Sequence, residues 1–123
     1  MSLLTILIAG LACDRKAPER DARGKLASML RDSIGRTTDP KVAFIVHGTA
    51  LDRNLYVHFD TTAFANLSDS AFVVRAKEIA RFSVRHYDKA QNLDSVTVAS
   101  RETLEPGVAR IHHQLTFSMT ALR

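Results

Sequence analysis

Apolar residues recur along the chain with two periods, and each change of period marks out an element. From Ser68 to Tyr87 the period is helical: Phe72, Ala76, Ile79, Ser83 and Tyr87 share one face, flanked by Val73, Ala80 and Val84 on one side and Phe82 on the other. Lys77, Glu78, Arg81 and Arg85 fall opposite and read as a solvated face. Ser68 or Ser70 can supply an N-cap oxygen, Asp69 puts negative charge in the first turn, and Arg85, His86 and Lys89 put positive charge near the end. A second helix is predicted over about 18–34. Pro18 suits its first turn, Ala22, Leu26, Met29, Leu30 and Ser33 share a face, and Gly35 stands where helices commonly stop. Gly24 weakens this helix, by about 1 kcal/mol relative to alanine.

Elsewhere the period is two. Val42, Phe44 and Val46 alternate with Ala43, Ile45 and His47, and Leu55, Val57 and Phe59 alternate with Asn54, Tyr56, His58 and Asp60. A hairpin centred on Leu51-Asp52 brings the two apolar sets to one face, as register demands. Val96 and Val98 begin a third strand, and Ala109 to Ala121 reads as a fourth, with Ile111, Leu115, Phe117 and Met119 on one face. Glu105-Pro106-Gly107 is the turn between them, and it sets Val98 against Leu115 and Val96 against Phe117. The order α-β-β-α-β-β predicts an α+β two-layer sandwich, a four-stranded antiparallel sheet with two helices on one face. Its core draws on Leu26, Leu30, Phe44, Val57, Phe59, Phe72, Ile79, Leu115 and Phe117.

The chain has 123 residues, enough for one small domain with its own core. Its formal charge of +4 favours acidic partners or anionic lipid surfaces, although the basic residues are interspersed with acidic ones. A single cysteine rules out an internal disulfide, so attention moves to its position, Cys13. Met1 to Cys13 carries no charge and is followed abruptly by Asp14-Arg15-Lys16. Its apolar run is too short to span a bilayer, for which about 20 residues are needed, but it matches the core of a secretory signal. The run ends in Gly10-Leu11-Ala12-Cys13, which resembles the lipobox of bacterial lipoproteins. The resemblance implies removal of residues 1–12 and acylation of Cys13; the polar stretch that follows reads as a tether over 13–17, and the length of the remainder as a single domain over 18–123. The resemblance also implies a membrane-anchored protein of the cell envelope. Asp14 resembles the inner-membrane retention signal of some Gram-negative lipoproteins. The alternative is that residues 3–12 are retained and buried, with Cys13 an ordinary small apolar side chain.

The face of the sheet away from the helices is expected to present Ile45, His47, Tyr56, His58, Arg101, Arg110, His112 and Gln114. Of these, Tyr56, His58, Arg101, Arg110 and His112 form the candidate binding face, best suited to a partner protein of the envelope. The aromatic-rich pattern by which sheet domains stack RNA bases is missing, so no nucleic-acid partner is expected. Five histidines raise a metal site, with His58 and Asp60 on one strand face and His47 diagonally near. No spacing of metal-ligand type accompanies them, and no metal or other cofactor is assigned. The predicted register also sets Ser100 opposite His113, with Glu102 two residues further along. That is a nucleophile, base and carboxylate on paper, but without a nucleophile elbow or an oxyanion donor. The sequence therefore favours a non-catalytic lipoprotein domain. The competing reading is a small enzyme or a ligand or metal binder that uses the histidine-bearing face or the Ser100/His113 pair.

Overall fold

A computed structural model describes residues 17–35, 43–48, 53–60, 68–105 and 107–123. The readings at Met1 to Cys13, Val42, Leu51-Asp52 and Pro106 lie outside the described residues. The elements are α1 (Ala17–Leu30), continuing as a π-helical turn (Arg31–Gly35), then β1 (Phe44–His47) and β2 (Asn54–Asp60). They are followed by α2 (Asp69–His86), a 3-10 turn (Ala90–Asn92), β3 (Ser95–Glu105), β4 (Val108–Ser118) and α3 (Met119–Leu122).

The architecture is α+β, with one four-stranded sheet in the order β1-β2-β3-β4. The sheet is mixed and not wholly antiparallel as expected, because β2 and β3 run parallel. The cause is the element between them. A strand that leaves one end of a sheet, returns along a helix and re-enters beside its predecessor must run the same way as that predecessor. Within each hairpin the expected register holds: Phe44 pairs Phe59 and Val46 pairs Val57, while Val96 pairs Phe117 and Val98 pairs Leu115.

Helix α2 is built as its pattern predicts. Ser68 is the N-cap, its Oγ accepting from the Ala71 N–H at 3.3 Å, and Phe72, Ala76, Ile79, Ala80 and Ser83 are buried. Its apolar face meets the sheet through Phe72, whose ring lies 6.1 Å from that of Phe59 and 4.8 Å from that of His113. Burying a phenylalanine in this way is worth about 2–3 kcal/mol. Ala22, Leu26 and Leu30 of α1 join the same buried cluster, together with Leu55, Val57, Phe59, Val96 and Val98. Leu115 and Phe117, expected in the core, are only partly buried against it.

The end of the chain departs from expectation. The predicted fourth strand ran to Ala121, but β4 stops at Ser118, whose hydroxyl accepts from the Ala121 N–H at 3.2 Å and caps a single helical turn. There are thus three helices among the described residues. Met119 and Leu122, one helical turn apart, are both buried, so the apolar positions serve a helix turn and not a longer strand.

Candidate functional site

Residues of β1, β2 and β3 that point away from Phe59 and Val57 assemble the most distinctive group on the surface. The register that pairs Val46 with Val57 also pairs His47 with Tyr56 and Ile45 with His58. The His47 and Tyr56 rings stack at 5.1 Å with planes only 5° apart. His58 meets His47 edge-on at 4.7 Å and Tyr56 at 6.5 Å. On the next strand Tyr56 pairs Thr97, His58 pairs Ala99 and Asp60 pairs Arg101. Thr97 and Ala99 are buried beneath their longer neighbours, and Thr97 is satisfied by Asn54 at 3.1 Å and Thr116 at 2.8 Å. The outer face is therefore a polar ladder at one end and a cluster of rings beside Arg101 at the other.

Electrostatics fix the protonation of these rings. Burial, then His47, then Arg101 lower the pKa of His58 to about 4. Burial, then Arg101 and Arg23, lower that of His47. At neutral pH the pair is uncharged, and each ring keeps a lone pair on one nitrogen. Two neutral imidazoles, a phenol and a guanidinium can accept from and donate to a bound group and stack on it. A neutral imidazole is also able to act as a nucleophile or general base. No set of three or more His, Cys, Asp or Glu side chains placed to hold a metal ion occurs among the described residues.

Of the five residues of the candidate binding face, the structure brings Tyr56, His58 and Arg101 together, pairs Arg110 with Glu102 and leaves His112 as the extra residue of a bulge. The β3–β4 register shifts by one residue between Ser100 and Arg101, so that Arg101 pairs Ile111 and Glu102 pairs Arg110. Such a bulge moves the following side chains to the opposite face. Ile111 thus comes beside Arg101 and is 42% exposed, while His112 binds Glu102 through Nε2 at 2.7 Å.

Ser100 does face His113, at 3.4 Å from Oγ to Nδ1. The carboxylate on the other ring nitrogen is Asp69 of α2, 3.0 Å from Nε2, and not Glu102. Burial here runs opposite to what acyl transfer needs. Ser100 is 2% exposed and its Oγ accepts from the His113 backbone N–H at 3.0 Å, whereas the Asp69 side chain is 97% exposed. A serine nucleophile must reach substrate while its orienting carboxylate is sheltered. This trio instead ties β4 to the first turn of α2, with His113 stacked on Phe72.

Two features escaped the sequence reading. The His47–Tyr56 stack was available from the hairpin register alone, since cross-strand partners share a face. The Asp69–His113 bond joins elements 44 residues apart and left no local signal. No family model, curated protein or solved structure matches this chain.

Proposed function

We propose that this chain is a small lipoprotein of the bacterial envelope, anchored through an acylated Cys13, whose domain offers one face of its sheet to another envelope protein and performs no catalysis. The observation that carries this reading is the uncharged stretch Met1 to Ala12, ending in Gly10-Leu11-Ala12-Cys13 and broken sharply by Asp14-Arg15-Lys16. The fold supports it. The buried cluster of the described residues is drawn from Ala22 to Leu122, and every buried side-chain nitrogen and oxygen among them has a hydrogen-bond partner. Helices α1 and α2 cover one face of the sheet as a two-layer sandwich, which leaves His47, Tyr56, His58 and Arg101 for the partner. A single acyl chain holds a protein only marginally, so the anchor relies on the several chains of a mature lipoprotein.

The test is fractionation of cells that express the protein from its native context, with Cys13→Ala beside it. After a high-salt wash, which releases protein held by charge alone, the wild type stays with the membranes and the variant moves to the soluble fraction. A soluble wild type contradicts the reading.

The pair of neutral imidazoles at 4.7 Å supports a second reading, a binder of a small ligand or metal ion on the same face. Titration with Zn²⁺ separates the two. Broadening of the His47 and His58 resonances at micromolar metal, absent in His58→Gln, favours the second.

A further inference from the structure

Lys77, Arg81 and Arg85 change character once the rest of the fold surrounds them. Among the described residues none of the three takes part in an ion pair, while Glu78, the carboxylate between them, is held by Arg75 at 3.0 Å. Arg123, remote in sequence, joins the row: Arg81, Arg85 and Arg123 line a recess of about 380 Å³ with Val84 and Leu122. Arg81 and Arg85 also border a second recess of about 430 Å³, walled by Ile34, Val74 and Phe82. Val74, at its margin, is 70% exposed. Lys77 and Glu78 line the second recess too, and with Glu78 held by Arg75 the surface is a net cationic strip with apolar rims.

Its position matters as much as its charge. Lys25 of α1 meets Asp88, just past the end of α2, at 3.5 Å, whereas Ile34, beyond the other end of α1, borders the same recess as Val74 and Phe82. The two helices therefore run in opposite directions. Ala17, about 12 Å further along α1 from Lys25, lies at the end of the domain where α2 finishes and where Arg85 and Arg123 stand. Cys13 is four peptide steps from Ala17, a reach of at most about 14 Å.

We propose that Arg81, Arg85 and Arg123 dock the domain onto an anionic phospholipid bilayer, the one in which acylated Cys13 is held. The proposal takes its setting from the lipoprotein reading, but the docking chemistry is independent of acylation. Guanidinium groups pair with phosphate oxygens through two parallel hydrogen bonds, and the short tether keeps these arginines within reach of the headgroups. Because this row lies opposite the sheet-facing side of α2, docking turns His47, Tyr56 and His58 away from the bilayer. The lipid supplies attachment and the arginines supply orientation.

The experiment uses the full chain carrying Cys13→Ala, so that no acyl group contributes, and measures co-sedimentation with phosphatidylglycerol vesicles relative to phosphatidylcholine vesicles. Each basic side chain near an anionic surface strengthens binding about fivefold. Arg81→Gln/Arg85→Gln therefore lowers the ratio about 30-fold. A control, Arg101→Gln/Arg110→Gln, removes the same charge from the β3–β4 hairpin, away from the last turns of α2, and lowers it by no more than about threefold, because screening confines each charge to about 10 Å. Circular dichroism checks that both variants keep the fold. Equal losses in the two variants mean that binding follows net charge alone and overturn the proposal, as does a ratio near one for the parent chain. The two readings fail separately. Vesicle binding as described, in a protein whose native Cys13 carries no lipid, leaves docking standing and removes the anchor; an acylated protein with no preference for anionic vesicles does the reverse.

Discussion

The ring cluster makes stability depend on pH in a direction that can be worked out beforehand. Burial, reinforced by His47 and Arg101, lowers the pKa of His58 from 6.5 to about 4. Between those values the unfolded chain binds this proton and the folded chain resists it, so stability rises with pH across the window. The contribution is complete above pH 6.5 and is lost as pH falls to 4. His47, lowered by burial and by Arg101 and Arg23, acts in the same direction. A difference of about 2.5 in pKa corresponds to about 3 kcal/mol, but His58 is partly open to water, and solvent screening reduces this to about 1.5 kcal/mol. His58→Gln keeps a polar side chain and removes the titration. The assay is thermal unfolding followed by circular dichroism at pH 7 and pH 4.5. Wild type loses about 1.5 kcal/mol more than His58→Gln between the two, or about 5 °C in Tm for a domain of this size. The carboxylates that titrate in the same range are common to both chains and cancel in the difference. Equal losses, or a larger loss in the variant, refute the reasoning.

Two further outcomes follow from local geometry. Gly24 lies exposed within α1, and a Cβ built on it meets nothing within 4 Å, so Gly24→Ala raises stability by about 0.5–1 kcal/mol and Tm by about 3 °C; an unchanged or lower melting temperature contradicts the helical assignment there. Ser100→Ala removes the hydroxyl that accepts from the His113 N–H and touches its ring, and denaturant unfolding shows a loss of about 1–2 kcal/mol. A variant as stable as wild type contradicts the structural role given to Ser100.

Both hairpin registers were legible because apolar alternation constrains each strand from two sides. Once Val46 faces Val57, or Val98 faces Leu115, a slip of one residue exposes the whole apolar row. The same logic extended the last strand too far. Met119 continues the two-residue period of Leu115 and Phe117, and only the Ser118 hydroxyl bonded to the Ala121 N–H reveals that a helical turn takes over. The parallel β2–β3 pair was implied by the helix between two hairpins, but it is a property of the connection and of no single strand. The bulge after Ser100 left no mark, since neither glycine nor proline interrupts Ile111-His112-His113. That one-residue shift took Arg110 out of line with Tyr56, His58 and Arg101 and left His112 outside the strand register. The cationic strip was half visible: Arg81 and Arg85 follow from helical spacing, whereas the place of Arg123 beside them and their lack of ion pairs among the described residues exist only in three dimensions.

The central claim, the proposed acylation of Cys13, is covalent, and the intact mass of the protein recovered from its native host tests it most directly. The account predicts a chain that begins at Cys13, has lost residues 1–12 and carries the added mass of acyl chains, with Cys13→Ala lacking that mass. A full-length chain of unmodified mass contradicts it.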